Sequence, residues 1–234
     1  MTINQLIHIL PKLAKYNLKI IFAGKFIWFI LTAFAFFILL MVQAAWNKGE
    51  INEALIYRLL FFPSMLLVFY PSVFGIQNDE DARILELLFG IPNYKYKVWA
   101  VRLLMIYAAL FFIIVIFSYS AVILLYPVNP FEMSAQLMFP VLFYGNLAFM
   151  FSTITRSGNG TAVVMIIIAI VFLMLSTNVN SYWNILLNPF DAPQNTMSFL
   201  WERTILKSRI YLFVGSIVWM MIGLLNLQKR EKFL

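Results

Sequence analysis

An all-helical integral membrane protein with six spans is the fold class this sequence predicts, and three observations carry that reading. Of 234 residues, 63% are hydrophobic and 12% are charged, about half the charged share of a soluble domain. The apolar residues gather into six runs near span length, because about 30 Å of hydrocarbon at ~1.5 Å per residue takes roughly 17 to 25 residues. No alternating strand pattern occurs, and backbone groups in lipid must bond internally, so helices are favoured over a barrel.

Taken in order, residues 6–22 interleave apolar side chains with Lys12, Lys15 and Lys19, with Pro11 near the start. This predicts an amphipathic elbow helix over residues 5–24 lying along the membrane before the first span; the plainer alternative is a frayed basic terminus. The six spans are expected at 26–45, 57–76, 101–125, 135–154, 161–176 and 210–227. The second contains Pro63 and Pro71, which remove backbone donors. The fourth is interrupted by Gln136, Pro140 and Asn146, and the fifth is short. Arg156, Ser157 and Gly158 form the tight turn between them. Between the last two spans, residues 177–209 hold Trp183, Phe190, Phe199 and Trp201 with Pro189 and Pro193, which predicts two short helices dipping into the outer leaflet. So little remains outside these runs that residues 1–234 read as a single transmembrane domain with no soluble catalytic unit.

The formal charge of +7 is topological. In a six-span arrangement Lys12, Lys15, Lys19, Lys25, Arg83, Lys95, Lys97, Arg102, Arg156, Lys229, Arg230 and Lys232 share one side, against Lys48, Arg58, Arg203, Lys207 and Arg209 on the other. The positive-inside rule then places both termini in the cytoplasm, with the chain in the inner membrane, and no nucleic-acid partner is expected. With no cysteine there is no disulfide or thiolate metal site. A cleavable signal peptide is not expected either.

One charged island stands out, residues 77–102, with four of the ten acidic residues. Asp79, Glu80 and Asp81 precede ILELLFGI, where negative charge suits a helix N-terminus. Leu85, Leu88 and Phe89 share a helical face at i, i+3 and i+4, flanked by Arg83 and Glu86, and Gly90 and Pro92 end the helix. A short ridge of this kind fits a groove on a partner, with the charges setting orientation. A solvated helix packed on its own bundle is the competing reading.

Glu80, the run Arg83-Ile84-Leu85-Glu86-Leu87-Leu88, then Ile91-Pro92 and Arg102 resemble the coupling-helix signature of type-2 ABC exporter permeases. The elbow, six spans and basic C-terminus are similar to that family too. The sequence departs from the pattern at Arg83-Ile84, where the family often has Gly-Thr, and at Asn93-Tyr94, where Val-Ser is common. The resemblance implies that Glu80, Asp81, Arg83, Leu85, Glu86, Leu88, Phe89 and Pro92 contact a cytoplasmic ABC ATPase. It implies also that a second permease subunit, identical or related, completes the pathway, and that ATP and Mg²⁺ are held by the ATPase, with no cofactor on this chain.

The residue inventory is consistent with a borrowed motor. None of the expected spans contains Asp, Glu, His or Lys, the groups that bind or relay coupling ions in secondary transporters. No G-x-x-x-x-G-K-[ST] phosphate loop occurs. A membrane-embedded enzyme would need a nucleophile–base pair or a metal cluster, and the sole histidine, His8, lies in the elbow segment; no catalytic or metal-binding residue is expected. The remaining alternative is a non-transporting anchor or regulatory subunit, which composition alone does not separate from a permease. Gln43, Arg58 and Asn146 are the polar candidates for a pathway or a helix interface, against snorkelling for Arg58 and interhelical hydrogen bonds for the two amides.

Overall fold

A computed structural model of the chain describes residues 26–46, 50–81, 99–176, 182–193 and 197–227. Among these residues there are six helices and no strand: α1 Phe26–Trp46, α2 Glu53–Asp81, α3 Val101–Leu124, α4 Pro130–Thr155, α5 Gly158–Ser176 and α6 Ser198–Asn226. All six are long and apolar enough to cross a membrane, which makes this a multi-pass membrane protein. The expected elbow and coupling helices lie outside the described residues.

The helix ends follow from local chemistry. Asn52 Oδ1 accepts the Leu55 N–H at 2.9 Å and starts α2. Asn129 Oδ1 accepts from the N–H groups of Phe131 and Glu132 at 3.2 and 3.3 Å, with Pro130 as the first residue of α4. At the other end of α4, Arg156 takes a left-handed conformation with φ 56° and its N–H bonds Ser152 O at 3.1 Å. Two residues later α5 begins, its Gly158 N–H bonded to Gln77 Oε1 of α2 at 2.6 Å. Gln77, read from sequence as the edge of the charged island, thus caps a neighbouring helix. Pro63, Pro71 and Pro140 all lie inside continuous helices, so none of them ends a span.

Three spans differ from the expected bounds. α2 starts at Glu53 and continues through Asp81, and α4 starts at Pro130. The larger correction is α6, which begins at Ser198 where the sequence suggested 210. Residues 198–209 therefore belong to a spanning helix. The two short dipping helices are not formed among the described residues: residues 182–193 are a chain of turns. Asparagine explains this, because Asn184 Oδ1 and Asn188 Oδ1 each accept the backbone N–H two residues on, at 2.9 and 3.1 Å, and Pro189 follows.

Cross-contacts fix the helix directions. Ser152 Oγ donates to Val73 O at 3.0 Å, and Asn226 Nδ2 donates to Thr153 Oγ1 at 3.4 Å, so the C-terminal ends of α2, α4 and α6 lie together. Ser118 of α3 meets Ser134 of α4 at 3.2 Å, and Phe29 of α1 stacks near Tyr70 of α2 at 4.5 Å, so α1 and α3 run the opposite way. α4 is the centre, packed on α2, α3, α5 and α6. α1 and α5 are peripheral, with 17% of their apolar windows buried against 67% for α4.

The turn segment 182–193 straps one end of this bundle. Asn188 Nδ2 donates to Ala54 O at the start of α2 (2.8 Å), and Trp201 Nε1 in the first turn of α6 donates to Pro189 O (3.0 Å). Ser198 lies at this strap end, and α2 ends at the opposite end with Asp81, two residues before Arg83 in the sequence. In this cysteine-free chain, cysteines placed at Arg83 and Ser198 should therefore react with an impermeant thiol reagent from opposite faces of the membrane; labelling of both from one face would refute the arrangement.

Candidate functional site

Of the expected partner-binding residues, Arg83, Leu85, Glu86, Leu88, Phe89 and Pro92 lie outside the described residues. Glu80 and Asp81 are the last residues of α2. The acidic triplet Asp79–Glu80–Asp81 thus closes α2, and the helix expected to follow it lies outside the described residues.

The three polar pathway candidates occupy separate places. Gln43 is exposed near the end of α1. Arg58 is exposed at the strap end and pairs with Asp191 at 3.1 Å; with side-chain exposures of 69% and 56%, that pair contributes at most about 1 kcal/mol. Asn146 alone is interior, 3% exposed.

Asn146 is the middle of a polar line that ties three helices together. The Tyr107 hydroxyl of α3 donates to Asn146 Oδ1 at 2.7 Å, and Asn146 Nδ2 donates to Ser216 Oγ of α6 at 2.7 Å. The backbone approaches closely here. A Cβ on Gly145 would stand 2.6 Å from Val68 Cγ2 and 2.7 Å from the Tyr107 hydroxyl, so α2, α3 and α4 meet at a position where no other residue fits without movement.

A second polar group lies nearer the strap. Arg209 of α6, 5% exposed, donates from Nε to Gln136 Oε1 of α4 at 2.8 Å and from Nη2 to the Tyr57 hydroxyl of α2 at 3.5 Å. Its guanidinium carbon is 5.6 Å from the centre of the Phe139 ring. Nη1 is buried with no hydrogen-bond partner, and no carboxylate pairs with Arg209 among the described residues. An arginine held within a spanning helix costs about 2.5–3.5 kcal/mol on insertion scales when central, so this side chain is held against its own solvation. Sequence reading missed it because 198–209 looked like a loop.

The longer helices also revise the inventory of ionisable groups. Glu53, Glu132, Glu202, Arg203 and Lys207 fall in helical segments toward the strap-end starts of α2, α4 and α6, and Asp79, Glu80 and Asp81 fall at the opposite end of α2. Among the described residues no three His, Cys, Asp or Glu side chains gather as a metal site.

An apolar cleft of about 420 Å³ opens between α2, α4 and α5, lined by Phe62, Met65, Tyr144, Met165, Ile166 and Leu173 among others. Such a lining accepts hydrocarbon and offers no chemistry. Together the bundle, its interior polar line and its apolar cleft define a multi-pass helical membrane protein with a structured interior. No family model, curated protein or solved structure matches the chain.

Proposed function

We propose that this chain is the transmembrane permease subunit of an ATP-binding cassette exporter, driven by a separate cytoplasmic ATPase that holds ATP and Mg²⁺. The observation that carries the reading is the pattern Glu80, Arg83-Ile84-Leu85-Glu86-Leu87-Leu88, Ile91-Pro92 and Arg102, running from the end of one long apolar helix to the start of the next among the six described. α2 runs unbroken from the strap to the first residues of that pattern, and Arg102 stands in the first turn of α3 over the Trp99 ring at 5.1 Å. A push on the intervening segment would pass into both helices, and through α4 into the rest of the bundle. Two such subunits, identical or related, enclose the translocation path in this reading. The chain lies in the inner membrane with both termini in the cytoplasm.

The test is coupling. Purified chain in proteoliposomes should hydrolyse no ATP, and adding its cognate ATPase should give a complex whose turnover rises severalfold over that of the ATPase alone. ATP turnover by the isolated chain would sink the reading. An ATPase that binds tightly yet keeps its turnover unchanged would instead assign the chain to anchoring.

A further inference from the structure

Arg209 is a buried cation with no counter-charge among the described residues. Its neighbours Gln136 and Tyr57 offer neutral oxygens, Phe139 offers a ring face, and Nη1 has no partner. Ser208 Oγ, the adjacent position of α6, is also buried without a partner. A guanidinium with one side of its fork occupied and the other free is the arrangement that takes a carboxylate or phosphate oxygen pair. An interior arginine without an acid, in a protein otherwise dominated by apolar side chains, is what a site for a transient anion requires, since a permanent carboxylate partner would compete with the ligand.

The route to the site is the strap. Tyr57 faces both ways: its hydroxyl reaches Arg209, and its ring lies 5.9 Å from the ring of Phe190 in the strap. The strap spans from α2 to α6 through Asn188 to Ala54 and Trp201 to Pro189, and its one ion pair, Arg58 with Asp191, is largely exposed. The exposed pair holds weakly, so opening this end means releasing those two hydrogen bonds and the buried Ile185 and Leu187 while the helices keep their own contacts. Aromatic and cationic groups line the same end on α6, where Lys207 Nζ lies 5.6 Å from the Tyr182 ring and Trp183 packs edge-on against Tyr211 at 4.8 Å.

We propose that Arg209, oriented by Gln136 and Tyr57, is a binding site for an anionic phosphate or carboxylate group, admitted at the strap end when residues 182–193 move off Tyr57. The site stands whether or not the chain serves an ATPase. The shared chemistry is the anionic oxygen pair, which an amphiphile headgroup or a free anion can supply.

Native mass spectrometry of the full chain released from nanodiscs tests this with three probes: phosphatidic acid, oleate and inorganic phosphate, against phosphatidylcholine as the neutral comparison. Wild-type chain should retain an anionic probe that phosphatidylcholine does not displace. Arg209→Gln should weaken that retention by about tenfold or more, whereas Arg203→Gln, an exposed neighbour on α6, should leave it unchanged. Retention of the two acyl probes alone would assign the site to an amphiphile, and equal retention of inorganic phosphate would assign it to a free anion. Equal binding by wild type and Arg209→Gln, or no retained anion in the wild type, overturns the proposal. Should Arg209→Gln fail to fold, Arg209→Lys keeps the charge and loses the fork; a severalfold loss then supports the site and unchanged binding overturns it.

Discussion

Aspartate at both Leu85 and Leu88 should abolish co-purification of this chain with the ATPase proposed as its partner while leaving membrane insertion intact. The two leucines stand one helical turn apart on the ridge predicted for residues 81–91, and with Phe89 they are the apolar part of that ridge. Anchor residues buried at an interface commonly contribute about 2 kcal/mol or more each. Replacing two of them with carboxylates removes the contact and also places unpaired charge against an apolar groove, so the losses reinforce each other. An effect of about 4 kcal/mol corresponds to roughly a thousandfold in affinity, enough to empty a pull-down at micromolar protein. Insertion should survive because the substitutions fall between spans, outside α2 and α3. Pull-down of the ATPase from detergent extracts, with membrane-fraction blots of the variant alongside, reads both arms. Undiminished recovery of the complex would overturn the docking role proposed for this segment.

Hydropathy made the existence of each of the six described helices legible, and where apolar runs end sharply it made the bounds legible too. α1, α3 and α5 begin and end close to where the sequence placed them. The misses lie at polar ends. α2, α4 and α6 carry Glu53, Glu132 and Glu202 in or near their first turns, and α2 ends on the polar run 77–81, so each helix extends past its strongly apolar stretch. In α6 the polar start contains Glu202, Arg203, Lys207 and Arg209, and a helix continuing through them is indistinguishable by composition from an aqueous loop. Position decides it: Arg209 is buried against α4 and α2 rather than solvated.

The interior polar groups show the same division. Asn146 was legible as an amide inside a span, but its partners Tyr107 and Ser216 are 39 and 70 residues away, and nothing in a single sequence names them. Gln136 reads as an interruption of the fourth span, whereas its carbonyl oxygen is the principal acceptor for Arg209. Gln77 reads as part of a charged loop, whereas its side chain caps α5. In each case the sequence displays the polar residue, and the structure supplies the distant group it bonds. This is the expected pattern when helices pack without a hydrophobic driving force between them, since small residues and interhelical hydrogen bonds then select the partners.

That reasoning gives the second large effect, at Asn146. Leucine there is close in size but has neither donor nor acceptor, so Tyr107 loses its acceptor and Ser216 its donor. The two losses are unequal. A serine hydroxyl on a helix can turn to the carbonyl one turn back, as Ser64 does to Leu60 O at 2.7 Å, whereas the Tyr107 hydroxyl, fully inside the bundle, has no such retreat. Asn146→Leu should therefore cost about 1–3 kcal/mol, most of it from the stranded phenol. Tyr107→Phe alone should cost about 1 kcal/mol. The double variant should be more stable than the sum of the two predicts, by about 0.5 kcal/mol or more, because removing the phenol removes the group that Asn146→Leu leaves unsatisfied. Gly145→Ala should act on the same hydroxyl by another route, since its methyl would stand within 2.7 Å of Tyr107 Oη and 2.6 Å of Val68 Cγ2, an overpacking of about 1–3 kcal/mol. Unfolding in mixed micelles titrated with a denaturing detergent measures all four variants on one scale. Strict additivity of Asn146→Leu with Tyr107→Phe would mean the phenol and the amide do not interact, and the line joining α3, α4 and α6 would lose its role in holding the bundle.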